Sequence, residues 1–148
     1  LRIQGIMTRE ISGDALMSKT IEHVLWPYAP DMWMPYAPAI KVTGGSLVFL
    51  AGQGGIKGNG QFSIPTKFED QAKLTLENME TILKQAGGSL DNIIYMTVHV
   101  TDMRFGRVFT EMRKQYYKKG YPASTLVESP HLALPEMLIE ITAIAVVP

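Results

Sequence analysis

The chain has 148 residues, 46% of them hydrophobic and 19% charged, the size and balance of one globular domain that can build a core without metal or disulfide staples. Fourteen Lys and Arg offset fourteen Asp and Glu, so the basic excess a nucleic-acid binder uses to displace counterions is missing. Zero cysteines exclude disulfides, thiol nucleophiles and zinc–thiolate sites, the three histidines His23, His99 and His131 lack metal-ligand spacing, and no apolar run is long enough to span a bilayer.

Residues 1–16 (Leu1–Leu16) show no clear period and no signal-peptide core. They read as a native extension or a segment added in cloning, with a second plausible start at Met17 and the domain proper at 17–148. From Trp26 to Pro38 the sequence is dense in aromatics and prolines and repeats Pro-Tyr-Ala-Pro. Such sequence neither feeds a sheet ladder regularly nor continues a helix, so it predicts an extended strap. Trp26, Tyr28, Trp33 and Tyr36 then either cover core edges or form an aromatic wall of a ligand pocket. A further strand is expected near Ile21–Leu25.

Ile40–Thr43 and Leu47–Leu50 are apolar runs flanking Gly44-Gly45-Ser46, which predicts a tight hairpin between them. The Gly-rich loop from Gly52 to Gly60 lacks a phosphate-cradle pattern. Thr66 and Glu69 have the spacing of a capping box, and Phe68, Ala72, Leu76, Met79, Leu83 and Ala86 form a helical stripe stopped by Gly87-Gly88. Ile93–Val100 is β-branched and aromatic, a strand with Tyr95, Thr97 and His99 on one face and Met96, Val98 and Val100 on the other. A second helix is expected over Phe105–Lys119. Its buried side carries Phe105, Val108, Phe109, Met112 and Tyr116, while Arg113, Lys114, Lys118 and Lys119 form a solvated basic face. Strands near Thr125–Glu128 and Leu138–Val147 close the chain.

The expected order is β-β-α-β-α-β-β plus the early strand, an α+β fold. Two helices cover one face of such a sheet, yet the last strand is apolar on both faces. A strand of that kind is buried on both sides, which predicts an oligomer whose sheets pack together.

Several segments resemble the RidA/YjgF family, which also carries the label endoribonuclease L-PSP. They are Pro35-Tyr36-Ala37-Pro38-Ala39-Ile40-Lys41-Val42, Val48-Phe49-Leu50-Ala51-Gly52-Gln53, Gln71 with Leu76-Glu77-Asn78, and Thr97-Val98-His99-Val100-Thr101-Asp102. The closing pair, Pro122-Ala123-Ser124-Thr125-Leu126-Val127-Glu128 and Ile139-Glu140-Ile141-Thr142-Ala143-Ile144-Ala145, completes the match, in order, from Tyr36 to the C-terminus. The resemblance implies a chorismate-mutase-like fold: a mixed sheet of about six strands, two helices on one face, and a cytoplasmic homotrimer with a central barrel. It also implies clefts between subunits that hydrolyse small 2-imino or 2-enamino acids without a cofactor or metal, and neither a nucleic acid nor a membrane as partner.

Carried over residue by residue, the resemblance assigns catalysis to Glu140, which would orient or activate water, and Tyr36. Gly52, Ala51, Ser124, Phe105, Phe109 and Leu126 would contact the substrate. Active relatives carry an arginine directly after Pro-Ala to grip the substrate carboxylate; here the position is Ser124. A charge-assisted bond contributes about 1.5–3 kcal/mol against roughly 1 for a neutral one, so ordinary 2-imino acids are expected to turn over weakly. Ala51 and Phe109 likewise replace a serine and an asparagine common in the family. The leading expectation is therefore an enamine or imine deaminase acting on a less anionic or more aromatic metabolite. The alternative is a non-catalytic ligand-binding or regulatory member; a ribonuclease or translation inhibitor fits less well. A Ser124 nucleophile would need His131 as its base, with no obvious third member.

Overall fold

In the computed structural model the described residues are 19–27, 35–58 and 62–148. The extension at 1–16 and the middle of the strap, Tyr28 and Trp33 included, lie outside them. In chain order the elements are β1 (Thr20–Val24), β2 (Ala39–Thr43), β3 (Ser46–Gly54), β4 (Lys57–Gly58), β5 (Phe62–Ser63), α1 (Phe68–Gln85), a 3-10 turn at Leu90–Asn92, β6 (Ile93–Val100), α2 (Met103–Met112), a 3-10 turn at Arg113–Gln115, β7 (Ala123–Glu128) and β8 (Ile139–Val147).

The main sheet has the order β3-β8-β6-β7. β8 runs antiparallel to both β3 and β6, and β6 runs parallel to β7, a pairing that requires the crossover α2 supplies. β1 and β2 form their own antiparallel ribbon, which meets β7 through one parallel bridge, Ala37 to Ala123, with Ala37 N–H donating to the Pro122 carbonyl at 3.0 Å. Four strands thus share a continuous ladder, and the expected six arise only by counting through this bridge. The hairpin expected between β2 and β3 is not formed. Gly44 and Gly45 take the positive φ angles of 69° and 79° that favour glycine, but the turn hands the chain from one sheet to another, and β2 pairs with β1.

The apolar stripe of α1 packs on β3 and β8. Ala72, Leu76, Met79 and Leu83 meet Met96, Val98, Val100, Ile139 and Ile141 in one core, all without solvent exposure. Lys67 is the N-cap of α1, and no side chain caps the helix. The helix starts one residue later than the Thr66–Glu69 spacing requires, which puts that box out of register. Gly87, at φ 81°, ends it, and Gly88 N–H reaches back to the Leu83 carbonyl at 2.8 Å. Asp102 caps α2, its carboxylate accepting from Arg104 N–H at 2.8 Å, and the helix starts at Met103, two residues before the expected start. The α-helical turns stop at Met112 and tighten into the 3-10 turn, short of the expected Lys119.

Both helices lie on the face of Met96, Val98 and Val100. The other face is bare in the single chain: Phe49 is 71%, Leu47 60% and Tyr95 41% exposed. The alternate residues of β8, Glu140, Thr142 and Ile144, are half-buried there. Among the described residues no helix is long and apolar enough to cross a membrane.

Candidate functional site

The register of the sheet sorts the sequence-predicted site residues into two groups. Glu140 alternates with the buried Ile139 and Ile141 and stands opposite His99, so its carboxylate lies on the bare face. Its neighbour there is Gly52: a Cβ on that glycine would sit 2.6 Å from Glu140 Oε1. The ladder between β3 and β8 slips by one residue between Leu50 and Gln53, which places Ala51 and Gly52 in a β-bulge. Bulges re-aim the chain beside functional groups, and this one brings exposed backbone over the carboxylate.

Glu140 is fixed from below. Gln71, buried in α1, donates to the carbonyls of Pro65 at 2.7 Å and Glu136 at 2.8 Å, and its Oε1 accepts from Leu138 N–H at 2.8 Å, two residues before Glu140. Asn78 donates to the Gly54 and Ile56 carbonyls, each at 3.0 Å, and so holds the end of β3. Gly55 leaves no room between this loop and α1, since an added Cβ would come within 2.5 Å of the Gln71 carbonyl oxygen.

The second group lies on the helical side. Ser124 is the register partner of Met96, whose side chain points into the core, so Ser124 faces the helices. It stands three residues along β6 from the level of Glu140, about 10 Å, and on the opposite face. Leu126 packs against Gly106, leaving 2.8 Å to a would-be Cβ. Tyr36 is half-buried next to the Ala37 bridge, and its ring meets Trp26 edge-on at 5.9 Å. Phe105 stacks on Phe68 at 4.4 Å, and Phe109 is wholly buried. These two rings are core packing in the single chain rather than an open lining.

The solvated basic face expected around the end of α2 holds for three of its four residues. Lys114, Lys118 and Lys119 are exposed, but Arg113 is only 3% exposed. Its Nη1 donates to Ser124 Oγ at 2.9 Å, and its guanidinium lies over the Phe109 ring at 5.8 Å. Among the described residues its buried Nε has no partner, and no carboxylate pairs with the guanidinium. Burial draws its pKa below the usual arginine value, partly offset by the phenols of Tyr117, Tyr121 and Tyr36. Arg113 falls four residues after Phe109, on the buried stripe, and that spacing was the signal for an inward cation. The expectation of a position without a cation at hand is therefore corrected: a guanidinium stands directly behind Ser124. Ser124 has no histidine base either, because His131 is exposed beyond the far end of β7, about 13 Å along the strand.

A groove of about 550 Å³ runs between α1, the turn before β6 and the turn after α2, lined by Glu77, Glu80, Lys84, Tyr116 and Lys118 among others. None of the predicted site residues borders it. Among the described residues no cluster of His, Asp and Glu has the geometry to hold a metal.

The model of the Endoribonuclease L-PSP family matches residues 27–147. The chain belongs to the RidA/YjgF family. The reactive intermediate deaminase TdcF of Escherichia coli, named as putative, is 36% identical over 80% of this chain and 91% of its own. A crystal structure of TdcF with bound serine superposes with a TM-score of 0.60 at 34% identity, covering 70% of this RidA/YjgF chain and 83% of TdcF. Human 2-iminobutanoate/2-iminopropanoate deaminase is 32% identical over 88% of this chain and 93% of its own. A Rid-family protein of Yersinia pestis, of unknown function and 21% identical, matches the fold with a TM-score of 0.73 over 86% of this chain and 98% of its own.

Proposed function

We propose that this chain is an imine or enamine deaminase of small metabolites, working in clefts between the copies of a homotrimer whose bare sheet faces line a central barrel. The observation that carries the proposal is the division of the site. Glu140 with Gly52 and Ala51 lies on one face of the sheet, and Ser124 with Tyr36 lies behind the other. Within one chain the two groups do not meet, and a cleft that uses both takes one group from each of two copies packed side by side around the barrel. The exposed Phe49 and Leu47 support that packing, because a contiguous apolar surface of this kind marks an interface.

In the proposed reaction Glu140 takes a proton from water as the water oxygen bonds to the C=N carbon. The proton passes to nitrogen to give a carbinolamine; a second transfer moves the hydroxyl proton to that nitrogen as C=O forms and the C–N bond breaks, and a carbonyl product and ammonia leave. An enamine enters by prior protonation at carbon. General acid–base help of this type contributes about 10²–10⁴-fold. The preferred substrate is not the smallest 2-imino acid, since Ser124 offers only a short hydroxyl where an arginine would reach forward. In a coupled assay on oxidase-generated imines, turnover of 2-iminopropanoate should be weak and that of larger imines stronger. Equal, rapid turnover of both would overturn this substrate assignment.

A further inference from the structure

From the burial and bonding of Arg113 we infer that Arg113 and Ser124 together form a set-back anion anchor, which reads the carboxylate of a ligand through the Ser124 hydroxyl. This rests on the cleft reading above and deepens it by naming the acidic group the cleft accepts. Three observations lead there. A guanidinium buried without a counter-ion carries a desolvation cost that an anion would offset, and among the described residues Arg113 has only a hydroxyl and an aromatic face as partners. Its bond to Ser124 runs from Nη1 to Oγ, so the serine spends a lone pair and keeps its own proton; that O–H finds no acceptor among the described residues. Ser124 lies at the mouth of this arrangement, only half-buried, with the cation sealed behind it.

The result is a relay. The guanidinium donates to Oγ, which polarises the hydroxyl, and the hydroxyl donates outward. A bonded carboxylate also feels the positive charge one residue back, in surroundings where charge is poorly screened. A neutral amide of the same shape accepts the hydrogen bond but gains little from the charge. Because a serine stem is short, the carboxylate must enter farther than it would to meet a strand arginine. This favours ligands whose acid group can extend from the reacting carbon's side of the cleft toward β7.

The test uses the full-length protein and equilibrium binding, with no turnover required. The probes are pyruvate and phenylpyruvate, each compared with its neutral amide. Wild type should prefer the carboxylate by about tenfold or more, the scale of one charge-assisted bond. Arg113→Met and Ser124→Ala should each bring that ratio within about threefold. Arg113→Met should also keep or raise the melting temperature, because it removes an unpaired buried charge; a purely structural arginine would lower the temperature and leave the ratio alone. Ser124→Ala removes one oxygen and keeps the test intact should the other variant misfold. A wild type that binds neither probe, or a ratio unmoved in both variants, overturns the anchor. An unmoved ratio in a protein that turns over imines defeats the anchor alone, whereas a collapsing ratio in a protein without turnover defeats the deaminase reading alone.

Discussion

The two faces of the main sheet differ in what their side chains lack. The helical face is closed: Met96, Val98, Ile139 and Ile141 have no exposed surface, and the feature left unsatisfied there is a positive charge on Arg113. The bare face carries exposed Phe49, Leu47 and Tyr95 beside a carboxylate, and what it lacks is cover. In the proposed assembly one side takes an anion and the other a neighbouring copy. The difference teaches that the parts of a site can be fully present in one chain while the site is not, because a β-sheet sends alternate residues to opposite sides.

Several changes would break or sharpen that contrast. The largest effect is expected from Glu140→Gln, which keeps the shape of the bare-face group and removes its base. Turnover should fall by about a hundredfold or more with the circular dichroism spectrum unchanged, and retention of activity would remove the bare face from the chemistry. Gln71→Leu strips the three bonds that fix the approach to Glu140. It leaves buried carbonyls and an amide unpaired, at a cost of about 3 kcal/mol in chemical denaturation, with a larger loss of kcat than of KM. Phe49→Asp places charge on the open face; sedimentation velocity should then show monomers at concentrations where wild type is assembled, and a monomeric wild type would end the barrel proposal.

The smallest effect belongs to Asp102, at the rim of the closed face. Its bonds with Arg104 hold the carboxyl at about 2, below the ordinary 3.8. The folded state therefore binds this proton less readily than the unfolded state does. The cap's contribution is complete above the ordinary value and disappears as pH falls through about 2. Asp102→Ala should lower the melting temperature slightly at neutral pH and make no difference in strong acid.

Local pattern carried much of this architecture. Ile93–Val100 shows its strand and both its faces in plain alternation, and the stripe of α1 shows its length and buried side. The partner of β2 was hidden, because Gly-Gly specifies a reversal but not whether the chain returns to the strand it left. The start of α1 was misplaced by one residue since Gln71, not Thr66, organises that corner through contacts distant in sequence. Arg113 was missed for a similar reason. Beside Lys114 its charge suggests a wet face, and only its place four residues after Phe109 marks it as inward. Glu140 and Ser124 were legible as chemistry. Their separation across the sheet was not, since it depends on the register of β6 against two different strands.

The ribbon of β1 and β2 has a mechanical consequence. Among the described residues its entry is held to the main sheet by the bridge at Ala37, its middle by His23 packed on Gly120, and its far end by the Lys19 ammonium on the Val146 carbonyl at 3.1 Å. A flap pinned at so few points opens at less cost than the ladders it rests on, so its amides should exchange with deuterium well before those of β6. Tyr36, at the hinge of that flap, then takes its position from a lightly stitched seam, and a molecule lodged against it would be felt first as slower exchange along the ribbon.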